Sequence, residues 1–218
     1  MSFVLSSLLM LGNAVFGVGC ASARTVADAG SVSQTRTAGA FDKIDSGGAF
    51  EIVVDAAAPA SSVVVEASSS VIGTITTEVH DGTLEIEQRS GNYWNAGKMT
   101  VIIGAKSLTG LKMGGAGTAT VKNIHGGAFS VSMTGAGSVN LAGTAGSLSV
   151  SLDGAAHLDA VALKARSVTV SIGGTGSAKV WASDSLTADV SGVGSVTYYG
   201  HPGHVRRTVS GVGSIGPG

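Results

Sequence analysis

One short pattern, apolar-x-apolar-x-apolar-x-Gly-x-Gly, returns through the C-terminal half of the chain at nearly constant spacing. It reads FSVSMTGAG (129–137), LSVSLDGAA (148–156), VTVSIGGTG (168–176), LTADVSGVG (186–194) and VRRTVSGVG (205–213), after a looser copy, TGLKMGGAG (109–117). The anchor residues Met113, Met133, Leu152, Ile172, Val190 and Val209 are 20, 19, 20, 18 and 19 residues apart. A fixed period of this size marks a stacked repeat, in which one supersecondary unit buries its apolar face only against its neighbours. Within each copy the apolar residues alternate with polar ones, which places them on one face of a strand. No 3.6-residue stripe competes. The paired glycines, Gly115 and Gly117, Gly135 and Gly137, Gly174 and Gly176, Gly192 and Gly194, Gly211 and Gly213, with Gly154 alone in its copy, are expected at sharp corners, where positive φ is cheap without a Cβ.

If each copy is one coil, like residues stack on like at the strand spacing of about 4.8 Å, with parallel sheets running along the axis. The predicted fold is all-β, a parallel β-helix or β-solenoid of about 19-residue coils, right-handed by the crossover rule. Its inner columns read Met113, Met133, Leu152, Ile172, Val190, Val209 and Ala119, Val139, Leu158, Ala178, Val196, Ile215. Arg207 falls at an inward register, which reads as a charged final coil that discourages end-to-end stacking. Alternating segments at 49–54, 63–67, 74–79, 83–87 and 99–103 predict further strands, some covering the N-terminal end. Composition agrees: 34 of 218 residues are glycine and 12% are charged, against about 25% in ordinary globular proteins.

Residues 3–19 are almost wholly apolar and lead into Cys20-Ala21-Ser22-Ala23. This reads as an export signal, residues 1–23, cleaved before Cys20 or before Arg24. Cleavage before Cys20 would make the single cysteine a lipid-bearing first residue; cleavage before Arg24 would remove it. A membrane-anchoring helix is the competing reading, but Gly12-Asn13 interrupts a run that is short for a bilayer core of about 30 Å. Residues 24–40 are polar and read as a linker, followed by one domain over 41–216. With a formal net charge of −1 and no Lys/Arg block, the chain lacks the footprint of a nucleic-acid binder. Membrane contact is expected only through a lipid on Cys20.

The run VSGVGSVTYYGHPGHVRRTVSGVGSI (190–215), the serial G-x-G corners and the opening FDKIDSGGAFEIVV (41–54) resemble the head GIN domain of auto-transporter adhesins. The resemblance covers about residues 38 to 216. It implies a right-handed parallel β-helix of exported bacterial proteins, acting in cell-surface adhesion and similar in shape to pectin-lyase-like folds, with no catalytic residues to carry over. One departure is Ala156, where the pattern has a second glycine, and that corner is expected to differ or to be strained.

Gly211 to Gly216 spells G-x-G-x-x-G, but a dinucleotide fingerprint needs a following helix. His201 and His204 are two imidazoles without the third ligand a zinc site normally has. His157 shares a column with Thr118, Ser138, Ser177, Ser195 and Ser214, a polar ladder beside the corners. A polysaccharide lyase would gather carboxylates for a cation, yet Asp153, Asp159 and Asp189 fall at different registers. No cofactor or metal is expected. A glycosidase pair drawn from distant loops is not excluded by sequence, though nothing singles one out.

The candidate binding residues are Trp181 and Tyr199, which alternation places outward in consecutive coils above Val161 and Ala142, with Lys179 and Thr197 as polar neighbours. Stacked aromatic faces with hydrogen-bonding groups beside them suit a sugar or an extended peptide. The competing reading has Trp181 folded over the sheet or packed beneath the turn from Tyr199 to His204. Tyr93-Trp94 is a weaker second candidate. The expected function is a non-enzymatic binding module of the cell envelope or surface, exported to the periplasm, outer membrane or cell exterior and adhering to a surface glycan or protein. The alternatives are a structural scaffold of the envelope, with oligomers possible, and a carbohydrate-active enzyme.

Overall fold

The computed structural model describes residues 31–89 and 97–218. The leader, Cys20, both cleavage points and Tyr93-Trp94 lie outside the described residues. Among the described residues sixteen strands form a β-solenoid. The first seven are β1 (Ser31–Arg36), β2 (Lys43–Ser46), β3 (Phe50–Asp55), β4 (Ser62–Ser68), β5 (Ile75–His80), β6 (Thr83–Gln88) and β7 (Thr100–Gly104). The repeat supplies β8 (Gly110–Met113), β9 (Ala116–Ile124), β10 (Ala128–Met133), β11 (Ala136–Leu152), β12 (Ala155–Ile172), β13 (Thr175–Val190), β14 (Val193–Tyr199), β15 (His204–Val209) and β16 (Val212–Pro217).

Two parallel walls arise from this order. One stacks β6, β2, β8, β10, β11, β12, β13 and β15; the other stacks β7, β3, β9, β11, β12, β13, β14 and β16. Strands β11, β12 and β13 each run through nearly a whole coil, so they belong to both walls. Met113, Met133, Leu152, Ile172, Val190 and Val209 pair in that order from coil to coil. So do Ala119, Val139, Leu158, Ala178, Val196 and Ile215. The solenoid predicted from the spacing is therefore the fold, and the first five members of each column are buried.

The sixth members are a correction. Val209 is 44% exposed and Ile215 half-buried, because among the described residues no further strand pairs with β15 or β16 to cover them. Arg207 does occupy an inward column, beneath Ala188, and its Nη1 donates to the Ile215 carbonyl at 3.4 Å across the open end.

Among the corner glycines the expected positive φ is found at Gly117 (+148°) and Gly137 (+159°), while the first glycine of each corner serves another purpose. None of Gly115, Gly135, Gly154, Gly174, Gly192 and Gly211 has a positive φ. A Cβ on any of them would lie 1.8 to 2.2 Å from a carbonyl oxygen of the preceding coil's corner. Close approach of stacked backbones is what demands glycine. The approach lets the N–H of Gly135, Gly154, Gly174, Gly192 and Gly211 donate to the anchor carbonyls of Met113, Met133, Leu152, Ile172 and Val190. Ala156 holds the register of the second corner glycine between Gly137 and Gly176, is buried and has no positive φ. Its methyl joins the core, so the expected strain is not there.

The N-terminal half contains a coil that the spacing concealed. Strands β2 and β3 lie directly over β8 and β9, with Ser46 against Met113 and Ile52 against Ala119. The intervening chain makes the next layer, β6 over β2 and β7 over β3, and then a lid of antiparallel strands: β4 on β7, β1 on β4 and β5 on β6. The N-terminal end is thus covered, as expected. The 24–40 linker is corrected in part, since its residues 31–36 form β1 and pair with β4 along its whole length.

Ser46 interrupts the anchor column between Ile86 and Met113, and it is buried with no hydrogen-bond partner for its Oγ among the described residues. An unsatisfied buried hydroxyl costs about 1–3 kcal/mol. Ser46→Ala should accordingly raise the unfolding free energy by about 1 kcal/mol. Urea denaturation of both proteins measures it, and a midpoint that stays or falls would contradict the assignment.

Candidate functional site

Lys164 on β12, Trp181 on β13 and Tyr199 on β14 lie side by side where the second wall ends. Trp181 pairs with Tyr199 across the ladder, as alternation predicted. Its other neighbour is not Val161. The register between β12 and β13 slips after Ala160, so that Val161, Ala162 and Leu163 bulge and Lys164 meets Trp181. The bulge brings the Lys164 ammonium 4.6 Å from the centre of the Trp181 ring, within cation–π range, while the same Nζ donates to the Val161 carbonyl at 3.0 Å.

The turn after Tyr199 shapes the rest. Gly200 has φ +87°, and a Cβ there would strike the Ala182 carbonyl and approach the Trp181 ring. Only glycine makes this turn without strain. It carries the chain past the indole toward His201 and Pro202. The Gly218 N–H donates to the Tyr198 carbonyl at 3.0 Å, which sets Gly218 against the Tyr199 ring. The result is an open groove of about 950 Å³ lined by Val161, Lys164, Trp181, Ser183, Tyr198, Tyr199, Gly200, His201, Pro202, Val205, Pro217 and Gly218. Trp181 and Tyr199 are both half-buried. The indole therefore sits against the turn, as one sequence reading had it, and still presents part of its surface to the groove, as the other did.

Lys179 and Thr197 do not line this groove. They form a separate column with Asn140 and Asp159, two residues back along the strands. Alternation could not distinguish the two columns, since both face outward. It also gave no sign of Lys164, Tyr198 and His201, which reach the groove through a bulge, a half-buried strand end and a turn.

The charges beside the groove are paired. Ser183 Oγ donates to Asp184 at 2.7 Å and Arg166 Nε donates to it at 3.2 Å. Those two contacts, the Ser183 hydroxyl first, hold the Asp184 carboxyl below the usual carboxylate range. Among the described residues no Asp or Glu side chain lines the groove itself.

A smaller depression of about 400 Å³ lies on the first wall, where Lys43, Lys112, Ser130, Ser132, Ser149 and Ser151 surround the Lys112–Asp45 ion pair of 2.7 Å. His157 stands in its predicted ladder, hydrogen-bonded to Ser177 Oγ. Among the described residues no three His, Cys, Asp or Glu side chains are placed to hold a metal ion, and no helix is long and apolar enough to cross a membrane. Asp153, Asp159, Asp184 and Asp189 stand in different columns.

The chain is similar to several solved structures. A crystal structure of a putative adhesin from Bacteroides fragilis superposes with a TM-score of 0.73 at 24% identity, covering 86% of this chain and 96% of the other. A structure from Parabacteroides distasonis described as a putative lipid binding protein gives a TM-score of 0.48 at 18% identity, over 88% of this chain and 98% of the other. A putative adhesin from the same species gives 0.46 at 18% identity, over 86% and 97%. None of the curated proteins matches the chain. The opening coil at 41–54, the corner glycines from Gly115 to Gly194 and the column members up to Val190 and Val196 fall inside a family model that fits over residues 40–202, and the chain belongs to that family, described as "Putative auto-transporter adhesin, head GIN domain".

Proposed function

We propose that the protein is a non-enzymatic adhesion module of the cell envelope or cell surface that binds a glycan in the groove between Trp181 and Tyr199. One observation carries this reading: two aromatic rings from adjacent coils line a single open groove with an ammonium and an imidazole beside them. A sugar ring offers C–H groups to an aromatic face and hydroxyls to polar groups at its edge, and this surface supplies both. The groove is open rather than enclosed, which suits a chain-like ligand better than an enclosed small molecule. Membership of an adhesin family agrees with surface binding.

Lys164 covers part of the indole and has to swing aside, or exchange its cation–π contact for a hydrogen bond to the ligand. Its side chain is exposed, so that motion meets little resistance. Glycan-array binding followed by titration of the best hit tests the reading. Trp181→Ala and Tyr199→Ala should each weaken binding by about 30-fold, the effect of removing an aromatic anchor worth about 2 kcal/mol. Lys179→Ala and Thr197→Ala, outside the groove, should change it less than about threefold. A blank array, or aromatic variants that bind like the parent, would overturn the assignment.

A further inference from the structure

The first wall runs the length of the molecule and ends in two strands that each have a single partner among the described residues. At the N-terminal end β5 pairs only with β6; at the C-terminal end β15 pairs only with β13. Such edges offer a row of backbone donors and acceptors to another strand. Beneath the C-terminal edge the core is also uncovered. Val205 and Val209 are 38% and 44% exposed, although Leu186 and Val190, their partners one coil earlier, are 1% and 0% exposed.

The two ends carry opposite charge. Residues 190–218 contain no Asp or Glu, but they hold His204, Arg206 and Arg207 on β15. The β5–β6 hairpin, residues 75–88, contains Glu78, Asp81, Glu85 and Glu87 and no Lys or Arg. Pairing two C-terminal ends would oppose arginine to arginine, and pairing two N-terminal ends would oppose glutamate to glutamate. Joining unlike ends removes both conflicts. The sequence reading had the charged final coil discouraging end-to-end stacking altogether; here the arginines oppose only the like-to-like junction and leave the unlike one favourable.

We propose that copies of this chain associate head to tail, β15 of one copy pairing with β5 of the next. The junction is antiparallel, because β5 runs against β6 whereas β15 follows the common direction of its wall. It places Arg206 and Arg207 near the acidic hairpin and covers Val205 and Val209. A heterologous contact of this kind does not close on itself, so the product is an open row of copies. Strands β15 and β16 lie beyond residues 40–202, so this end is outside the part matched by the family model.

Light scattering on the full chain tests the proposal. Mass should rise with protein concentration at low salt and fall back toward the monomer in high salt, since the junction depends on exposed charge. The double variant Arg206→Glu/Arg207→Glu and the double variant Glu78→Lys/Glu85→Lys should each stay monomeric alone, with parental circular dichroism, and assemble when mixed. Chains carrying Arg206→Cys should form disulfides with chains carrying Glu78→Cys in preference to forming them with themselves. A mass that stays monomeric across concentration at low salt would overturn the proposal without reference to any variant. Preferential Arg206→Cys self-crosslinking, or capture only of unrelated acidic proteins, would overturn it as well.

Discussion

Replacing Gly135 by valine should abolish folding or lower stability by more than about 4 kcal/mol, at the extreme end of single-substitution effects. The Cβ would stand 1.8 Å from the Gly115 carbonyl oxygen, and the atoms it meets are backbone, so no rotamer change relieves the clash. The coils would have to part at that corner. Parting them breaks the hydrogen bonds from the Gly135 and Ala136 N–H groups to the Met113 and Gly115 carbonyls, and the loss spreads because each coil is held chiefly by its neighbours. Gly39→Ala is the control, with nothing within 4 Å of its Cβ, and should alter stability by less than about 0.5 kcal/mol. Soluble yield and denaturant midpoints read both. A Gly135→Val protein that melts like the parent would mean the corners are not packed backbone to backbone.

Phe129→Ala should cost about 3–5 kcal/mol, the range for removing a buried aromatic ring from a core that relaxes only in part. Phe129 is 2% exposed and begins a column that continues through Leu148, Val168, Leu186 and Val205. Val205→Ala, in the same column but 38% exposed in the last coil, should cost less than about 1 kcal/mol. The comparison tests the column more sharply than either variant alone. Equal losses at the two sites would mean that burial does not grade along the axis. Where the C-terminal end is covered by a second copy, the Val205→Ala cost rises with protein concentration, which ties this measurement to the head-to-tail junction.

The repeat was legible because register in a strand is unforgiving. A slip of one residue would turn every apolar side chain from the core to solvent, so the alternation around Met133, Leu152 and Ile172 permitted one alignment of the coils. The same logic placed Trp181 beside Tyr199. It failed one coil earlier, where Val161 to Leu163 bulge and exchange the expected Val161 for Lys164, because a bulge preserves the local pattern on both sides and leaves no trace in it. The coil at β2 and β3 escaped for another reason. Its anchor position holds Ser46 rather than an apolar residue, and Met113, its partner one layer on, lies beyond four intervening strands. Residues 31–36 read as a linker because SVSQTR is polar on both faces. As the outermost strand of the lid, β1 has little apolar surface to bury, and residues 32–35 are exposed.

The placement of β2 and β3 bears on the order in which the protein acquires its shape. These strands come early in the chain, yet their roof is built from β6 and β7 and their floor from β8 and β9, so the two surfaces are complete only once Met113 and Ile124 have been made. The later laps need only the lap before them, a short reach along the chain, and closing short loops is fast. Acquisition of structure should therefore start among the regular laps and spread backward, with the opening segment joining last. A pulse of hydrogen exchange during refolding would find amides of β11 to β13 protected before those of β2 and β3.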